Sequence, residues 1–304
     1  MSAPRIALIS DRRGWHCRQL TRAFARRRVA VRRVALQDCR FALDREPGIV
    51  LPGFETELPE AVFVRGVPAG TFEQVTFWLD ILHGLRGLGV LVYNDARMIE
   101  RSVDKAMTSL ILRRAGIATP PCWVSADPAR AAEIVRGEAA RGHELVCKPL
   151  FGSQGEGLVR VGAVEALPPP DAVNGVYYLQ RFVPRHGDRW LDWRVFVIGG
   201  HAVAAMQRSS DHWITNFATG ADCHPALLNA PLRQLAEAAA QAVDLYYGGV
   251  DILCDDAGQY SVLEVNSVPA WQGLQSTCGF NIAERLVADF LVRIGGAEIR
   301  EVRA

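Results

Sequence analysis

Three oxygen-bearing side chains, Asp251, Glu264 and Asn266, carry the spacing that most suggests chemistry. They lie in a stretch, 251–266, in which two short apolar runs flank a polar turn built on Asp255, Asp256 and Gly258. That pattern predicts a strand, a turn and a strand. Side chains alternate faces along a strand, so Glu264 and Asn266 share one face, and a hairpin register can bring Asp251 opposite them. Hard oxygen ligands of this kind suit Mg²⁺, which is usually held by one or two carboxylates together with substrate phosphates. The alternative is the solvated face of a half-exposed hairpin. The neighbours argue against it: Val250, Ile252, Leu253, Val262, Leu263 and Val265 are all apolar. Carboxylates embedded in such core-like strands are costly unless they are paired or on a metal.

The second stretch is Lys148-Pro149-Leu150-Phe151-Gly152-Ser153-Gln154-Gly155-Glu156-Gly157. Its three glycines and Ser153 let backbone amides approach phosphate oxygens closely. No Gly-Lys-Ser/Thr closes it, so it is not a P-loop. It falls between two strand-like runs, 144–150 and 158–161, and a glycine-rich hairpin folding over phosphates fits. Lys148 stands at a strand end, where an ammonium can reach an α- or β-phosphate. An ordinary flexible hairpin is the alternative. Lys105, alone in the first turn of a helix, has the weaker case. Arg194 and Arg208 can neutralise a transferring phosphoryl group; plain surface arginine is the alternative for each.

The elements that must hold these residues follow from the apolar patterning. Ile6 to Ser10, Val29 to Leu36 in two pieces, Ala61 to Arg65 and Val90 to Asn94 read as strands. Between them Trp15 to Arg28 and Phe72 to Leu88 read as helices; in the second, Val75, Leu79, Leu82 and Leu85 recur at helical steps. Strands alternating with helices predict a small Rossmann-like α/β domain with a mostly parallel sheet. It lacks the Gly-x-Gly-x-x-Gly of a dinucleotide site after its first strand. Beyond it, Asp104 to Ala115 is a helix closed by Gly116. Cys122 to Val124 is a strand, Ala129 to Ala140 a helix, and Val176 to Phe182 a strand. Arg194 to Ile198 and Ala202 to Met206 make a hairpin about Gly199-Gly200. Arg208 to Cys223 reads as an active-site loop, Leu228 to Tyr247 as an Ala-rich helix, and Ile282 to Ile294 as a terminal helix.

Of 304 residues, 34 are Lys or Arg and 33 Asp or Glu, a net charge of +1. That balance argues against a general nucleic-acid binder. The basic patch of Arg26, Arg27, Arg28, Arg32 and Arg33 reads as a solvated helix end. The seven cysteines include no Cys-x-x-Cys pair and read as reduced residues of a cytoplasmic protein. No signal peptide and no bilayer-spanning apolar run is visible.

Taken together and in this order, the pieces resemble the ATP-grasp superfamily and, within it, the RimK-like glutamate ligases. The carrying residues are Asp104-Lys105, Lys148 with the glycine-rich loop, Asp192-Trp193-Arg194-Val195 and Ala204 to Arg208. Thr215-Asn216, Gly249 to Leu253 and Glu264 to Pro269 complete the set. The resemblance implies an α/β (α+β) ATP-grasp fold in three parts: an N-terminal pre-ATP-grasp domain over 1–96, a central subdomain over 97–183 and a C-terminal subdomain over 184–304. It implies ATP clamped between the last two. Lys105, Lys148, Gly152, Ser153, Gln154, Gly155 and Gly157 would hold phosphates. Gln180, Arg181, Phe182 and Val183 would line the adenine pocket and bond the base through backbone, with Asp192 near the ribose. Asp251, Glu264 and Asn266 would hold two Mg²⁺, with Mn²⁺ as a substitute. Arg208 would stabilise an acyl phosphate, with Arg194 and Asn216 nearby. The implied reaction joins a carboxylate to an amine with ADP release. The resemblance also suggests a homodimer or homotetramer.

The chain departs from the family's ribosomal-protein ligases in the loop after Arg208. That loop is shorter, with Ile214 in place of an Arg and Ala218-Thr219 in place of a His-Arg pair; Arg181 also stands where an acidic residue is common. Trp213, Phe217 and Trp271 can form an aromatic wall for a flat ring, core packing being the alternative. The loop and the 65–83 region look similar to ligases that add L-glutamate to tetrahydromethanopterin or a related coenzyme, and that is the expected small-molecule acceptor class. A ligase that modifies a protein C-terminus is the alternative. A silent ATP-binding module, or a scaffold, is disfavoured because Lys148, Asp251, Glu264 and Asn266 are all present.

Overall fold

A computed structural model describes residues 4–152, 155–185 and 187–301, with backbone only from 296 onward. Ser153 and Gln154, two expected phosphate-loop residues, lie outside the described residues. The chain divides into two compact units, one made of 1–99 with 267–304 and the other of 100–266.

The first unit opens with β1 (Ile6–Ile9), α1 (Trp15–Arg26) and β2 (Val31–Val34). It continues through two short strands, β3 (Arg40–Phe41) and β4 (Ile49–Val50), to β5 (Ala61–Val64), α2 (Phe72–Gly87) and β6 (Leu91–Tyr93). Its main sheet has the order β2-β1-β5-β6, and every pairing is parallel. β1 and β5 are buried along their whole length, as unbroken apolar runs in the middle of a parallel sheet must be. In α1, Cys17, Leu20, Ala23 and Phe24 turn inward. α2 starts at a reciprocal cap: Thr71 Oγ1 accepts from the Gln74 N–H, and Gln74 Oε1 accepts from the Thr71 N–H.

The second unit carries two antiparallel sheets. The helix α3 (Ala96–Val103), absent from the sequence-based expectation, runs across the unit boundary and is followed by α4 (Lys105–Arg114). Asp104 caps α4 by accepting from the N–H groups of Ala106 and Met107. Then come β7 (Cys122–Ser125), α5 (Pro128–Ala139), β8 (Leu145–Lys148), β9 (Val159–Val161) and β10 (Tyr177–Arg181). The strands form a sheet in the order β7-β10-β8-β9, and α5 covers it with Ala131 and Val135 against Leu145, Cys147 and Leu179. The other sheet has β11 (Trp190–Ile198), β12 (His201–Ser210), β13 (Asp222–Pro225), β14 (Tyr247–Cys254) and β15 (Tyr260–Asn266). Its order is β13-β12-β11-β14-β15. α6 (Ala230–Val243) lies on it through Leu232, Ala236, Ala239, Ala240 and Val243.

One expectation changes here with direct bearing on the site. Arg208 does not open a loop. Pairing with β11 on one side and β13 on the other extends the strand to Ser210, so Arg208 sits on a ladder. The glycine-rich stretch does lie in a hairpin, between β8 and β9.

The chain returns to the first unit after Asn266, through α7 (Gln272–Ser276) and α8 (Ile282–Glu301). The stretch expected as a single C-terminal subdomain, 184–304, is therefore shared between the units. The reason lies in α8. Its inward residues Leu286, Val287 and Phe290 are fully buried. Phe290 meets the rings of Phe24, Phe63 and Tyr93 at centroid distances of 5.8, 5.5 and 5.5 Å. Tyr93 Oη also donates to Asp289 at 2.7 Å. Phe290→Ala should lower stability by about 3–5 kcal/mol, read from the urea midpoint at unchanged slope. A change below about 1 kcal/mol would show that α8 is not integral to the first unit's core.

Candidate active site

A cleft of about 950 Å³, open to solvent, lies within the second unit. One wall comes from β8, β10 and the glycine-rich loop, the other from β11, β12 and the β14–β15 hairpin. Of the residues expected to act, Lys105, Lys148, Gly152, Gly155, Gln180, Arg181, Phe182, Val183, Asp192, Arg208, Asn216, Asp251 and Glu264 all line it. Gly157 lies in the loop, Arg194 stands behind Asp251, and Asn266 lies two residues past Glu264 on β15.

The lysine side of the cleft is built on a buried polar chain. Lys148, 9% exposed, donates to Gln180 Oε1 at 2.6 Å. Gln180 Nε2 donates to Tyr178 Oη at 3.4 Å, and that hydroxyl pairs with Ser109 Oγ at 2.8 Å. An ammonium has no acceptor, so the amide oxygen must face Lys148 and the amide orientation is set. Burial, with Lys105 close by, pulls Lys148 down to about 8. Burial also lowers Lys105, whose ammonium donates to the carbonyls of Gly152 at 3.0 Å and Leu150 at 3.4 Å. Gln180, expected as a backbone contact to the base, also holds Lys148 with its side chain. The backbone N–H groups of Arg181 and Phe182 are engaged with the carbonyls of Pro121 and Glu144. Arg181 is pinned by two bonds to Glu138 Oε2, a carboxylate only 3% exposed.

Glycine is required in the loop at two described positions. Gly155 and Gly157 have φ of +78° and +70°. A Cβ on Gly155 would lie 2.7 Å from Ile214, and one on Gly157 would lie 2.8 Å from Pro149. The loop thus packs against the segment that follows β12.

The opposite wall is an ion network on neighbouring strands. Arg208 is directly across the ladder from Asp192, and Arg194 directly across from Asp251. Arg208 donates through Nε and Nη2 to Asp192 at 2.7 and 2.5 Å, and Nη2 also lies 3.2 Å from Asp251 Oδ2. Arg194 donates through Nε and Nη2 to Asp251 at 2.5 and 2.6 Å. Thr215 Oγ1 donates to Asp192 at 2.8 Å. Burial alone would raise the Asp251 carboxyl; the two guanidiniums outweigh it and hold Asp251 below the usual carboxylate range.

Across the next pairing Asp251 faces Glu264, and Gly249 faces Asn266. The register jumps between Asp251 and Ile252, leaving Leu263 as an extra residue on β15. The bulge brings both Leu263 and Glu264 to the cleft. Asn266 Nδ2 is buried and has no hydrogen-bond partner. Among the described residues no group of three His, Cys, Asp or Glu side chains clusters for a metal. Any ion here would rest on two carboxylates and an amide.

The expected aromatic wall is rearranged. Trp213 packs with Phe182 at 6.0 Å, and Phe182 in turn with Trp190 at 5.4 Å, all three lining the cleft. Phe217 is exposed, and Trp271 is fully buried in the first unit. There the Trp271 backbone N–H donates to His16 Nε2 at 3.0 Å, and Arg65 stacks over its indole ring. Burial and Arg65 hold His16 neutral, at about 3. Trp190 is a cleft residue that the sequence reading did not single out, and Thr215 entered it only as part of a motif, with no role assigned.

Comparison with known proteins bears on this cleft. A RimK-like ATP-grasp domain matches residues 102–290. A tetrahydromethanopterin:alpha-L-glutamate ligase of Methanococcus maripaludis is 34% identical over 238 residues, covering 76% of this chain and 79% of the relative. An alpha-aminoadipate–LysW ligase, LysX, of Saccharolobus solfataricus is 29% identical, covering 66% of this chain and 74% of the relative. Among solved structures, the ATP-grasp ligase PsnB in complex with its minimal precursor, Mg and ADP superposes with a TM-score of 0.74. It covers 97% of this chain and 99% of the other at 19% identity, a likeness of fold alone. No described helix is long and apolar enough to cross a membrane. The matched domain spans more than half of the chain and contains every wall of the cleft, and the protein belongs to the RimK-like ATP-grasp family of ligases.

Proposed function

We propose that the cleft binds ATP and activates a carboxylate as an acyl phosphate, and that the enzyme joins L-glutamate to a small pterin-type coenzyme acceptor. The observation that carries this reading is the pairing of two walls. Lys105, Lys148 and the glycine-rich loop stand on one side, and Arg208, Asp251 and Glu264 on the other. The first wall supplies ammonium and amide donors for a polyphosphate. The second supplies guanidinium and carboxylate groups where a phosphoryl group would be transferred. The substrate class rests on the methanococcal relative and on the shortened loop after Arg208.

Bond changes follow from the chemistry. A carboxylate oxygen attacks the γ-phosphorus as the bond to the β-phosphate oxygen breaks and ADP leaves. The amine nitrogen then attacks the acyl carbon, phosphate departs, and the nitrogen loses a proton. Arg208 lies where it can neutralise charge on the moving phosphoryl, with Arg194 and Asn216 close by. Lys148, fixed by Gln180, orients the α- or β-phosphate. With Gln180 committed to Lys148 and two backbone N–H groups engaged, a base held at 180–183 would use the strand-exit carbonyls and Val183. Asp251, Glu264 and Asn266 would fit a Mg²⁺ site through their oxygens: the two carboxylates face each other across the ladder, and Asn266 Oδ1 would be the third donor. Held by these residues, Mg²⁺ would supply charge neutralisation for the phosphates. Two ions, with Mn²⁺ as a substitute, agree with this donor set, and Asp251 would exchange its arginines for the metal. The three-part division into pre-ATP-grasp, central and C-terminal subdomains belongs to the same reading.

The first test is ADP release with ATP, Mg²⁺ and L-glutamate against a panel of carboxylate acceptors, with mass spectrometry of the products. One added glutamyl mass on a pterin coenzyme is the expected result. Turnover only with a protein acceptor would replace the substrate class and keep the ligase chemistry. Glu264→Ala should reduce this turnover to background while the far-ultraviolet circular dichroism is unchanged; wild-type turnover in that variant would remove Glu264 from the metal site.

Lys148 gives a pH dependence of defined sign. In the free protein it is charged below about pH 8 and neutral above. Polyphosphate favours the charged form, so binding takes up a proton at higher pH. The Kd of a non-hydrolysable ATP analogue should be level from pH 6.5 to 7.5 and then weaken, approaching about tenfold per pH unit above pH 8. Calorimetry across that range checks it, and Lys148→Arg should flatten the profile. An equally steep profile in Lys148→Arg would assign it to another group.

A further inference from the structure

Lys105 and Lys148 bring two ammonium groups to one wall of the cleft from different elements, α4 and β8. Like charges repel, and a lysine stem has many rotamers. Burial and then the Lys105 charge both act against the charged form of Lys148. A polyphosphate needs the two ammoniums at one fixed separation, so each has to be held. Lys105 is held directly. It opens α4 next to the Asp104 cap and donates to the carbonyls of Gly152 and Leu150.

Lys148 is held at the end of a chain of side chains. Tyr178 lies directly across the ladder from it, so the two side chains share one face of the sheet. Gln180 is two residues further along β10 and shares that face. α5 covers the other face, through Leu145, Cys147 and Leu179. Lys148 donates to Gln180 Oε1, Gln180 Nε2 donates to Tyr178 Oη, and Tyr178 Oη pairs with Ser109 Oγ at 2.8 Å. Ser109 belongs to α4, one turn after Lys105 and on the same side of the helix. Lys105, Ser109, Lys148, Tyr178 and Glu264 line one small cavity. The chain of bonds that holds the second ammonium therefore ends on the helix that carries the first. Ser109 and Tyr178 are both buried, and neither is among the described residues that line the cleft itself. Their hydroxyls would cost stability at that depth unless bonded, and the bonds they make point at Lys148.

We propose that Tyr178 and Ser109 are positioning residues that register Lys148 against Lys105, with α4 as the common carrier of both ammonium groups. This rests on the reading of the lysine wall as a polyphosphate site. It goes beyond that reading in giving a role to two hydroxyls that touch no ligand.

The experiment is a double-mutant cycle read in binding. Tyr178→Phe removes one oxygen and keeps the ring. It should weaken binding of the Mg²⁺ complex of a non-hydrolysable ATP analogue about fivefold, the net worth of one hydrogen bond. In a Lys148→Met background the same change should cost less than about twofold. Ser109→Ala should weaken binding about two- to threefold, and adding it to Tyr178→Phe should cost nothing further, because the two act in series. An undiminished loss from Tyr178→Phe in the Lys148→Met background would overturn the proposal. Multiplicative losses for Ser109→Ala and Tyr178→Phe, or an unchanged Kd in Tyr178→Phe, would overturn it as well.

A second measurement needs no nucleotide. The side-chain amide resonances of Gln180, assigned by their loss in Gln180→Met, should be well separated and slow to exchange in the free wild-type protein. Exchange should quicken in Tyr178→Phe and, to a smaller extent, in Ser109→Ala. Unchanged exchange in Tyr178→Phe would overturn the proposal. Absence of analogue binding by the wild-type protein would instead overturn the reading of the wall as a polyphosphate site, and the resonances would still decide whether the chain of bonds holds Gln180.

Discussion

Four paired charges, three buried and one part-buried, set the terms for the second unit. Asp192, Arg208, Asp251 and Arg194 lie on three adjacent strands of one sheet, two negative and two positive. Isolated charges at that depth would cost far more than a domain's net stability, so each has to be paired with good geometry. The pairing in turn requires the strands to be in register and long enough. This is why β12 runs on to Ser210 and why β13 is added at its edge. The network is electrically balanced without any ligand, so the cleft floor is stable while empty. On the proposed reading, a cation at Asp251 would have to compete with two guanidiniums, and a polyphosphate would ease that competition by offering the arginines another anion.

The ladder that pairs Asp192 with Arg208 and the one that sets Glu264 opposite Asp251 each contain a one-residue irregularity. Counting back from the Gly199-Gly200 turn in a regular hairpin, Asp192 would face Gln207, with Arg208 on the other side of the sheet. The shift between Phe196 and Val197 moves Arg208 opposite Asp192. Counting back from the Asp255–Gly258 turn, Asp251 would face Leu263; the second shift makes Glu264 its partner. Side-chain direction alternates with every residue, so each bulge decides whether an ionic group meets its partner or that partner's neighbour.

This marks the boundary of what the sequence made legible. The hairpin of 251–266, the glycine-rich loop between two strands, the parallel N-terminal sheet and the capped helix at Asp104 all follow from local patterning. So does the collection of polar residues that meet in the cleft, because motif order carries it. Bulges have no local signature, and the Asp192–Arg208 pair needed one. Thr215 and Gln180 were missed as side-chain partners for a similar reason: their roles depend on which face of a strand or loop meets which lysine or carboxylate. Trp271 shows the opposite limit. An aromatic residue just past a motif invites a functional reading, while the structure places it among Trp15, His16 and Arg65 in a core.

The division of the chain has a consequence for how it folds on emerging from the ribosome. The second unit is continuous, so every partner in its sheets is present once Asn266 has been made. The first unit is begun first and finished last. Its strands β1, β5 and β6 are synthesised early, but the rings of Phe24, Phe63 and Tyr93 wait for Phe290, which arrives after the whole second unit. Contacts of such long sequence separation form slowly, and an unfinished apolar face is open to aggregation in the interval. The part of the molecule that holds the cleft therefore completes itself early. The part that precedes it in the sequence is the one left open to aggregation in that interval, and a nascent chain halted near residue 266 would carry an uncovered hydrophobic sheet.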